Sequence, residues 1–421
     1  MSDITAVSNL KFKASYGVSG NNQIPNYGPI GLLGSSNYAY GDNLANGLNV
    51  TNIENADLKW EKTNMFNTGI ELGLFKNRVN VSAEYYNSTT NDLLLNVPVP
   101  DITGFSTQLT NIGKLRNKGF EASLNTKNIV GKFNWTTDFN ISLNRNEVLQ
   151  LGPGNAPLIY TDYVVQVKTE VGQPISNFYG YIFDGVYMNQ AEIDAGPARG
   201  DGVTTPGDPR VRDVDGDGKI TEADRTTIGN IQPDFIAGLT NSFSYKGFEM
   251  SFMLQGSFGG EITNQLIRYN GIWNGGRNAY AEVANYWKSE ADPGDGKHFK
   301  PTISPKGYQE KFSSYWVEDA TFVRLRNIRV SYALPSKLFV KSPVKGIRVF
   351  MNAENVYLWS KYLNYDPENT TYNSTSYSNI YSNAVPSASS SVSVPSGAFL
   401  GVDYGSYPNP RIITFGAKFD F

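Results

Sequence analysis

Between Asp213 and Asp224 the chain reads Asp-Val-Asp-Gly-Asp-Gly-Lys-Ile-Thr-Glu-Ala-Asp, a spacing that lets hard oxygen ligands wrap one cation. Asp213, Asp215, Asp217 and Asp224 take positions 1, 3, 5 and 12 of a twelve-residue calcium loop. Gly218 at position 6 permits the sharp turn, Lys219 at position 7 offers its carbonyl, and Thr221 stands at position 9. Without a cation these carboxylates repel one another, so the expected cofactor is Ca2+ in a structural role. The departure from an EF-hand loop is Asp224 in place of glutamate, a shorter carboxylate that still coordinates. The competing reading is a metal-free acidic turn. No helical apolar pattern flanks the motif, which argues for a clip that orders a loop rather than a helix-loop-helix sensor.

Other chemistry is sparse. The chain has no cysteine and a single histidine, His298, so thiol chemistry, disulfides and histidine-rich metal sites are excluded. Asp292-Pro-Gly-Asp295-Gly-Lys297-His298 reads as a solvated turn with a capacity to bind a ligand. No nucleophile elbow, phosphate loop or dinucleotide fingerprint occurs in a strand-to-helix context, and no carboxylate pair is singled out for glycoside hydrolysis. The chain reads as non-enzymatic. Trp273, Tyr280, Tyr286, Trp287, Tyr362 and Tyr365 lie in loops, where aromatic rings stack on sugars or peptides or else pack their own loop.

Composition bounds the class of protein. Thirty-six basic against 39 acidic residues give a net charge of -3 with no basic cluster, which offers nucleic acid no footprint. Aromatics make up 13% and charged residues only 18%, and no run of about 18 apolar residues forms a membrane helix. At 421 residues without disulfides, stability must come from extensive strand pairing. Met1 is followed by Ser-Asp-Ile-Thr rather than a signal peptide pattern, so the chain reads as cytoplasmic or as lacking an N-terminal part.

The elements that position the loops are two-faced strands. In the hairpin of 233–258, Phe235, Ala237, Leu239, Phe243 and Tyr245 alternate with Gly238, Thr240, Ser242, Ser244 and Lys246. Ile236 alone is out of place. After Lys246-Gly247, Phe248, Met250, Phe252 and Leu254 continue the apolar face. The same design recurs from Leu10 to Val18, from Phe66 through Lys76-Asn77 to Tyr85, and from Phe120 through Lys127–Gly131 to Leu143. It returns from Thr321 to Leu334, with a phase slip that places a bulge near Arg326-Asn327, then from Ile347 to Ala353 and from Arg411 to Phe421. Between them lie an Asn/Gly-rich loop to about Asp57, an irregular stretch 150–232, a loop 259–319, and a low-complexity, mobile segment 357–408.

About ten strands therefore alternate strictly between short and long connections, with Leu334–Gly346 as a fourth short one. That asymmetry, with no charged residue at the apolar positions, is the pattern of a transmembrane barrel: short periplasmic turns, long outer loops, a greasy outside and a wet lumen. Tyr85, Trp135, Tyr245, Tyr332 and Phe421 are candidates for interfacial girdles. A secreted β-sandwich or solenoid also alternates and lacks cysteine, so a secreted, calcium-stabilised carbohydrate-binding β-protein is the alternative, and a glycan-degrading enzyme the third reading.

The chain also resembles the C-terminal part of SusC/RagA-type TonB-dependent outer-membrane receptors. The resemblance runs nearly end to end. It rests on Leu10-Lys-Phe-Lys-Ala-Ser-Tyr-Gly-Val-Ser-Gly20, Trp60-Glu-Lys-Thr, Asn117-Lys-Gly-Phe-Glu121, and the stretch from Gly172 through Phe178-Tyr-Gly-Tyr to Gly185. Asp213–Asn230, Pro233-Asp-Phe, Tyr245-Lys-Gly-Phe248, Phe322-Val-Arg-Leu-Arg-Asn327 and the terminal Phe421 complete it. It implies an all-β, antiparallel barrel of about 22 strands, of which residues 1–421 hold roughly the last ten, with 150–232 as an outer loop. The family's signal peptide, TonB box and plug are not read here, so the chain is expected to be the barrel-wall fragment. The resemblance further implies a place in the Gram-negative outer membrane and import of glycans, oligosaccharides or peptides. Its expected partners are a SusD-like surface lipoprotein, the TonB complex through the absent N-terminal part, the lipid bilayer, and the barrel-assembly machinery, which would read Phe421.

Overall fold

The computed structural model describes residues 6–421 apart from 23, 25, 106, 201–203, 274–275, 303–306, 341–342 and 369–398. Its frame is one ten-stranded antiparallel sheet in which sequence neighbours are spatial neighbours throughout. The strands are β1 (Val7–Asn21), β2 (Glu61–Leu74), β3 (Val79–Pro98), β4 (Thr107–Ile129), β5 (Phe133–Gln150), β6 (Phe235–Tyr245), β7 (Phe248–Phe258), β8 (Phe322–Ala333), β9 (Gly346–Ser360) and β10 (Ile412–Asp420). β1 and β10 are the two edges.

Register fixes the faces. Phe12 lies opposite Ile70, Tyr85 opposite Phe120, Leu124 opposite Phe139, and Met351 opposite Phe415, so the apolar sets of neighbouring strands share one side. That side does not close on a dry centre. Phe12 and Phe415 are each 74% exposed, and Phe66, Phe120, Phe248 and Ile413 are exposed with them. The other side carries an ionic and amidic ladder: Lys13 pairs with Glu71 and Glu84, Ser142 Oγ donates to Glu121, Asn125 to Asp138, and Arg348 to Glu249. A sandwich would bury the greasy side against a second sheet; this sheet offers it outward, as a barrel wall does.

The phase slip at Arg326 is a bulge. Leu325 pairs with Leu254 and Asn327 with Met253, leaving Arg326 unopposed. The extra residue keeps Val323 and Leu325 on the same side as Ile328 and Val330. At Lys246-Gly247 both residues have positive φ, 47° and 85°, the backbone a two-residue hairpin with native twist requires.

Short turns gather at one end: 75–78, 130–132, Lys246-Gly247 and 334–345, the last holding a 3-10 turn, Ser336–Phe339. The strict alternation of short and long fails once, because the β3–β4 link at the opposite end, 99–106, is also short. β3 and β4 run 20 and 23 residues, well past the Tyr85 and Phe120 region where the period-two pattern was clear. Lys127 and Ile129, read as turn, lie within β4 for the same reason.

The stretch 150–232 is not irregular. Leu158–Asp162, Val165–Thr169, Asn177–Gly180 and Thr226–Gly229 form a four-stranded sheet at the open end of the wall. Val165, Val167 and Phe178 are fully buried there against Phe312 and Trp316 from the connection 259–321 and Val402 from the connection 361–411. These strands span four or five residues each, too short for alternation to show. The core of the molecule is therefore in this cap, not behind the wall. Most of the segment expected to be mobile, 369–398, lies outside the described residues.

Candidate functional site

The acidic loop hangs from the cap by its ends. Pro209–Val211 precedes it and Thr226–Gly229 follows it, both strands, and Lys219–Ile220 within it pairs in parallel with Ala198–Arg199. Ile220 is buried with Tyr181, Val211 and Tyr308, and Tyr308 donates its hydroxyl to the Ile220 carbonyl at 3.2 Å. The flanks are strand and turn, not helices, so the arrangement is a clip.

Within the loop, carboxylate oxygens of Asp213, Asp215 and Asp224 all lie within 4.8 Å of one another. Gly216 and Gly218, at φ 75° and 80°, let the backbone curl round them. Asp213 accepts the N–H of Gly216 at 2.6 Å and of Gly218 at 2.9 Å. Asp224 is wholly buried and accepts from Val214 and from Thr221, each at 2.7 Å. Burial works against its ionisation, but the N–H groups of Thr221, Val214 and Asp215 and the Asp213 side chain outweigh it, holding the carboxyl below the usual aspartate range. Asp217 turns away to accept the Lys219 N–H at 2.8 Å, so three of the four expected carboxylates converge. The donor set is all oxygen and anionic, which suits a hard divalent cation.

The remaining residues singled out by sequence scatter over the cap. Trp273 is exposed, tilted against Tyr286 at 5.8 Å, and Tyr365 is exposed. Tyr280 and Trp287 pack on the cap core, with Trp287 Nε1 donating to the Met188 carbonyl at 3.1 Å. Tyr362 is buried and donates to Asp403 Oδ2 at 2.7 Å. The Asp292–His298 segment is a turn with Asp292, Gly294, Asp295 and Lys297 exposed, but it ends in a buried ring: His298 is 4% exposed, its Nδ1 lies 2.6 Å from Asp295 Oδ2, and its ring meets Tyr315 edge-on. Phe421 is exposed at the end of the β10 edge, and its carbonyl accepts from Lys345 Nζ at 3.1 Å.

Two arrangements escaped the sequence. Arg324 and Asp366, 3% and 1% exposed at their side chains, pair at 2.6 Å, with Glu368 3.1 Å from Arg324 and 2.9 Å from Arg326. Asn409 donates to Asp366 and Glu368, so both ends of the last connection are tied to β8. The second is a pocket on the inner face, lined by leucines of β3, β4 and the cap. The run Leu93-Leu94-Leu95 was its visible trace.

An open antiparallel wall with a greasy outside, a charged inside, short turns at one end and a folded cap at the other is the wall of an outer-membrane-type β-barrel. Residues 5–356 match the family model described as TonB dependent receptor-like, beta-barrel. The chain belongs to that family of TonB-dependent receptor barrels. It is 34% identical over its whole length to TonB-dependent receptor P3 of Formosa agariphila and covers 40% of that protein. It is 28% identical to TonB-dependent receptor SusC of Bacteroides thetaiotaomicron, with 87% of this chain and 36% of that protein matched. A solved structure of the RagAB peptide importer in its open-open state superposes on all of it with a TM-score of 0.77 at 26% identity, the chain covering 41% of that structure's chain. The chain thus spans about two fifths of the curated relatives it matches, and those relatives are receptors and transporters rather than enzymes.

Proposed function

We propose that the protein is an outer-membrane, TonB-dependent importer of oligomeric cargo, glycan or peptide, in which these ten strands are barrel wall and the cap is the outer rim. The observation that carries this is the wall itself: a continuous apolar face left exposed and a charged face opposite it, matched along the whole chain by a solved peptide importer. The unpaired edges of β1 and β10 are where the rest of the barrel would bond.

A surface lipoprotein of the SusD kind is the proposed partner on the outer side. The relatives include a TonB-dependent receptor SusC and the RagAB peptide transporter. In the β1–β2 connection a two-stranded hairpin, Leu33–Tyr40 with Asn43–Val50, carries Leu33, Leu44, Leu48 and Val50 on one face, all exposed. A lone hairpin is marginal in water, so such a face suits a protein partner. Ca2+ is proposed for the acidic loop, held by Asp213, Asp215 and Asp224, where it would neutralise their mutual repulsion. Trp273 and Tyr365, exposed on the cap, are the proposed aromatic contacts to cargo, and Phe421 the signal for barrel assembly.

The test is uptake of labelled oligosaccharides and peptides by isogenic cells with and without the gene, each with and without a protonophore. Energy-dependent accumulation present only with the gene is expected. Equal accumulation across the whole panel in both strains would overturn the importer.

A further inference from the structure

Just above the greasy band the outward face of the wall changes character. Tyr85, Phe120 and Leu143 form one row across β3, β4 and β5. The next row up holds Lys118 directly opposite Arg145, and the row above that Arg116 opposite Glu147. By alternation along β4, Lys114, Arg116 and Lys118 share the side of Phe120, and along β2 Lys62 shares the side of Phe66. Lys62, Lys118 and Arg145 are exposed, and Lys114 and Arg116 half-buried. At the same end of β7 and β9 the outward positions are Phe258, Tyr357 and Trp359, so the cations are a local feature of β2–β5.

Charge within this patch is not balanced. Arg116 is bound to Glu147 at 2.5 Å and Arg145 to Asp234 at 2.6 Å, whereas Lys62, Lys114 and Lys118 have no carboxylate partner among the described residues. The enclosed Nε of Arg116 also lacks an acceptor among them. Like charges placed directly across a ladder destabilise it, so Lys118 beside Arg145 is a cost unless an anion lies against them.

We propose that this patch binds the phosphorylated sugar headgroup of a glycolipid in the outer leaflet. The inference rests on the outer-membrane reading. Two features select this occupant. Two residues of tilted strand climb roughly 5 Å, which puts Lys118 directly over the aromatic row, in the layer where lipid phosphates lie. The column of cations then continues to Lys114, roughly 15 Å above Phe120, past the roughly 5–8 Å that a simple headgroup layer adds to each side of the hydrocarbon core. A headgroup of phosphorylated sugars is tall enough to meet every row, whereas a glycerophospholipid meets only the first. Phosphate oxygens are the acceptors that the arginine fork and the lysine ammonium groups complement.

The experiment uses the protein purified from outer membranes in detergent, with native mass spectrometry as the readout. The probes are lipooligosaccharide, the same lipid stripped of phosphate, phosphatidylglycerol, and inorganic phosphate. Lipooligosaccharide should bind about tenfold tighter than either of the other two lipids. Lys118→Gln and Lys114→Gln should each weaken it about fivefold, the worth of one cation at a membrane surface, and Lys76→Gln, in an exposed turn at the opposite end, should leave it unchanged. Equal binding with and without phosphate, or no loss in the two patch variants, overturns the proposal. Phosphatidylglycerol binding as tightly as lipooligosaccharide overturns the glycolipid, and displacement of the lipid by equimolar inorganic phosphate overturns a lipid as the source of the anion. Recovery of the protein in the soluble fraction without detergent would instead sink the outer-membrane reading itself.

Discussion

Asn241 accepts a hydrogen bond from Trp135 Nε1 at 2.8 Å, across two strands and on the greasy face of the wall. The same Oδ1 accepts from Thr137 Oγ1 at 2.7 Å, and Asn128 donates to that hydroxyl. A polar patch on a lipid-facing wall is tolerable only when its groups satisfy one another. Asn241→Ala should therefore lower the barrel's urea stability by about 1–3 kcal/mol, because the indole N–H is left unpaired. Trp135→Phe with Asn241→Leu should recover most of that loss. Equal destabilisation in the single and double variants would contradict the pairing.

Arg324 and Asp366 form a buried ion pair, and its partners cannot relax into water. Arg324→Ala should cost about 3–5 kcal/mol by stranding a charge, whereas Arg324→Met with Asp366→Leu should be far milder. Urea midpoints of the two variants decide it, and a single variant no worse than the double would remove the pair from the account.

Glu318 is pushed above its usual range by burial in the cap, despite hydrogen bonds from Leu363 N–H at 2.8 Å and Asn264 Nδ2 at 2.7 Å. A carboxyl with a raised folded pKa holds its proton longer in the native state, so native stability falls as pH rises from the unfolded value, near 4.5, through the folded one. Glu318→Gln should flatten that decline and leave stability below pH 4 little changed. Melting temperatures between pH 4 and 8 measure it.

Asp224 has the opposite sign. Its folded pKa lies below the ordinary 3.8, so its contribution is complete above that value and is lost as pH falls through the folded one. The acid limb of cap unfolding should shift toward neutral pH in Asp224→Asn.

If calcium occupies the acidic loop, chelation should speed proteolysis within residues 204–224 and leave the wall intact. Calcium at a hundred times its dissociation constant would restore about 2.7 kcal/mol to any opening that releases it. Asp213→Asn should abolish the calorimetric heat; a full heat in that variant would refute the ligand set.

The wall was legible because hydrocarbon enforces strict period-two chemistry: the Phe66–Leu74 and Phe235–Tyr245 strands kept the faces the alternation assigned them. The bulge at Arg326 was legible for the same reason, as a break in that rhythm. Beyond the greasy band the constraint disappears, so Leu93 to Pro98 and Thr107 to Lys118 gave no sign of being strand. The cap was opaque because Val165, Phe178, Trp316 and Val402 meet from three different connections. Of the acidic loop, spacing marked the carboxylates of Asp213, Asp215 and Asp224 that converge, but only the folded chain shows Asp217 turned onto Lys219.

β3 and β4 are 20 and 23 residues long, where about ten suffice to cross a bilayer. At the usual tilt and rise they stand roughly 50 Å tall against an apolar band of about 25 Å, so about half the height of these two strands rises clear of the lipid. In the proposed importer, cargo would therefore meet a collar of strand above the headgroups before it reached the bore through the membrane.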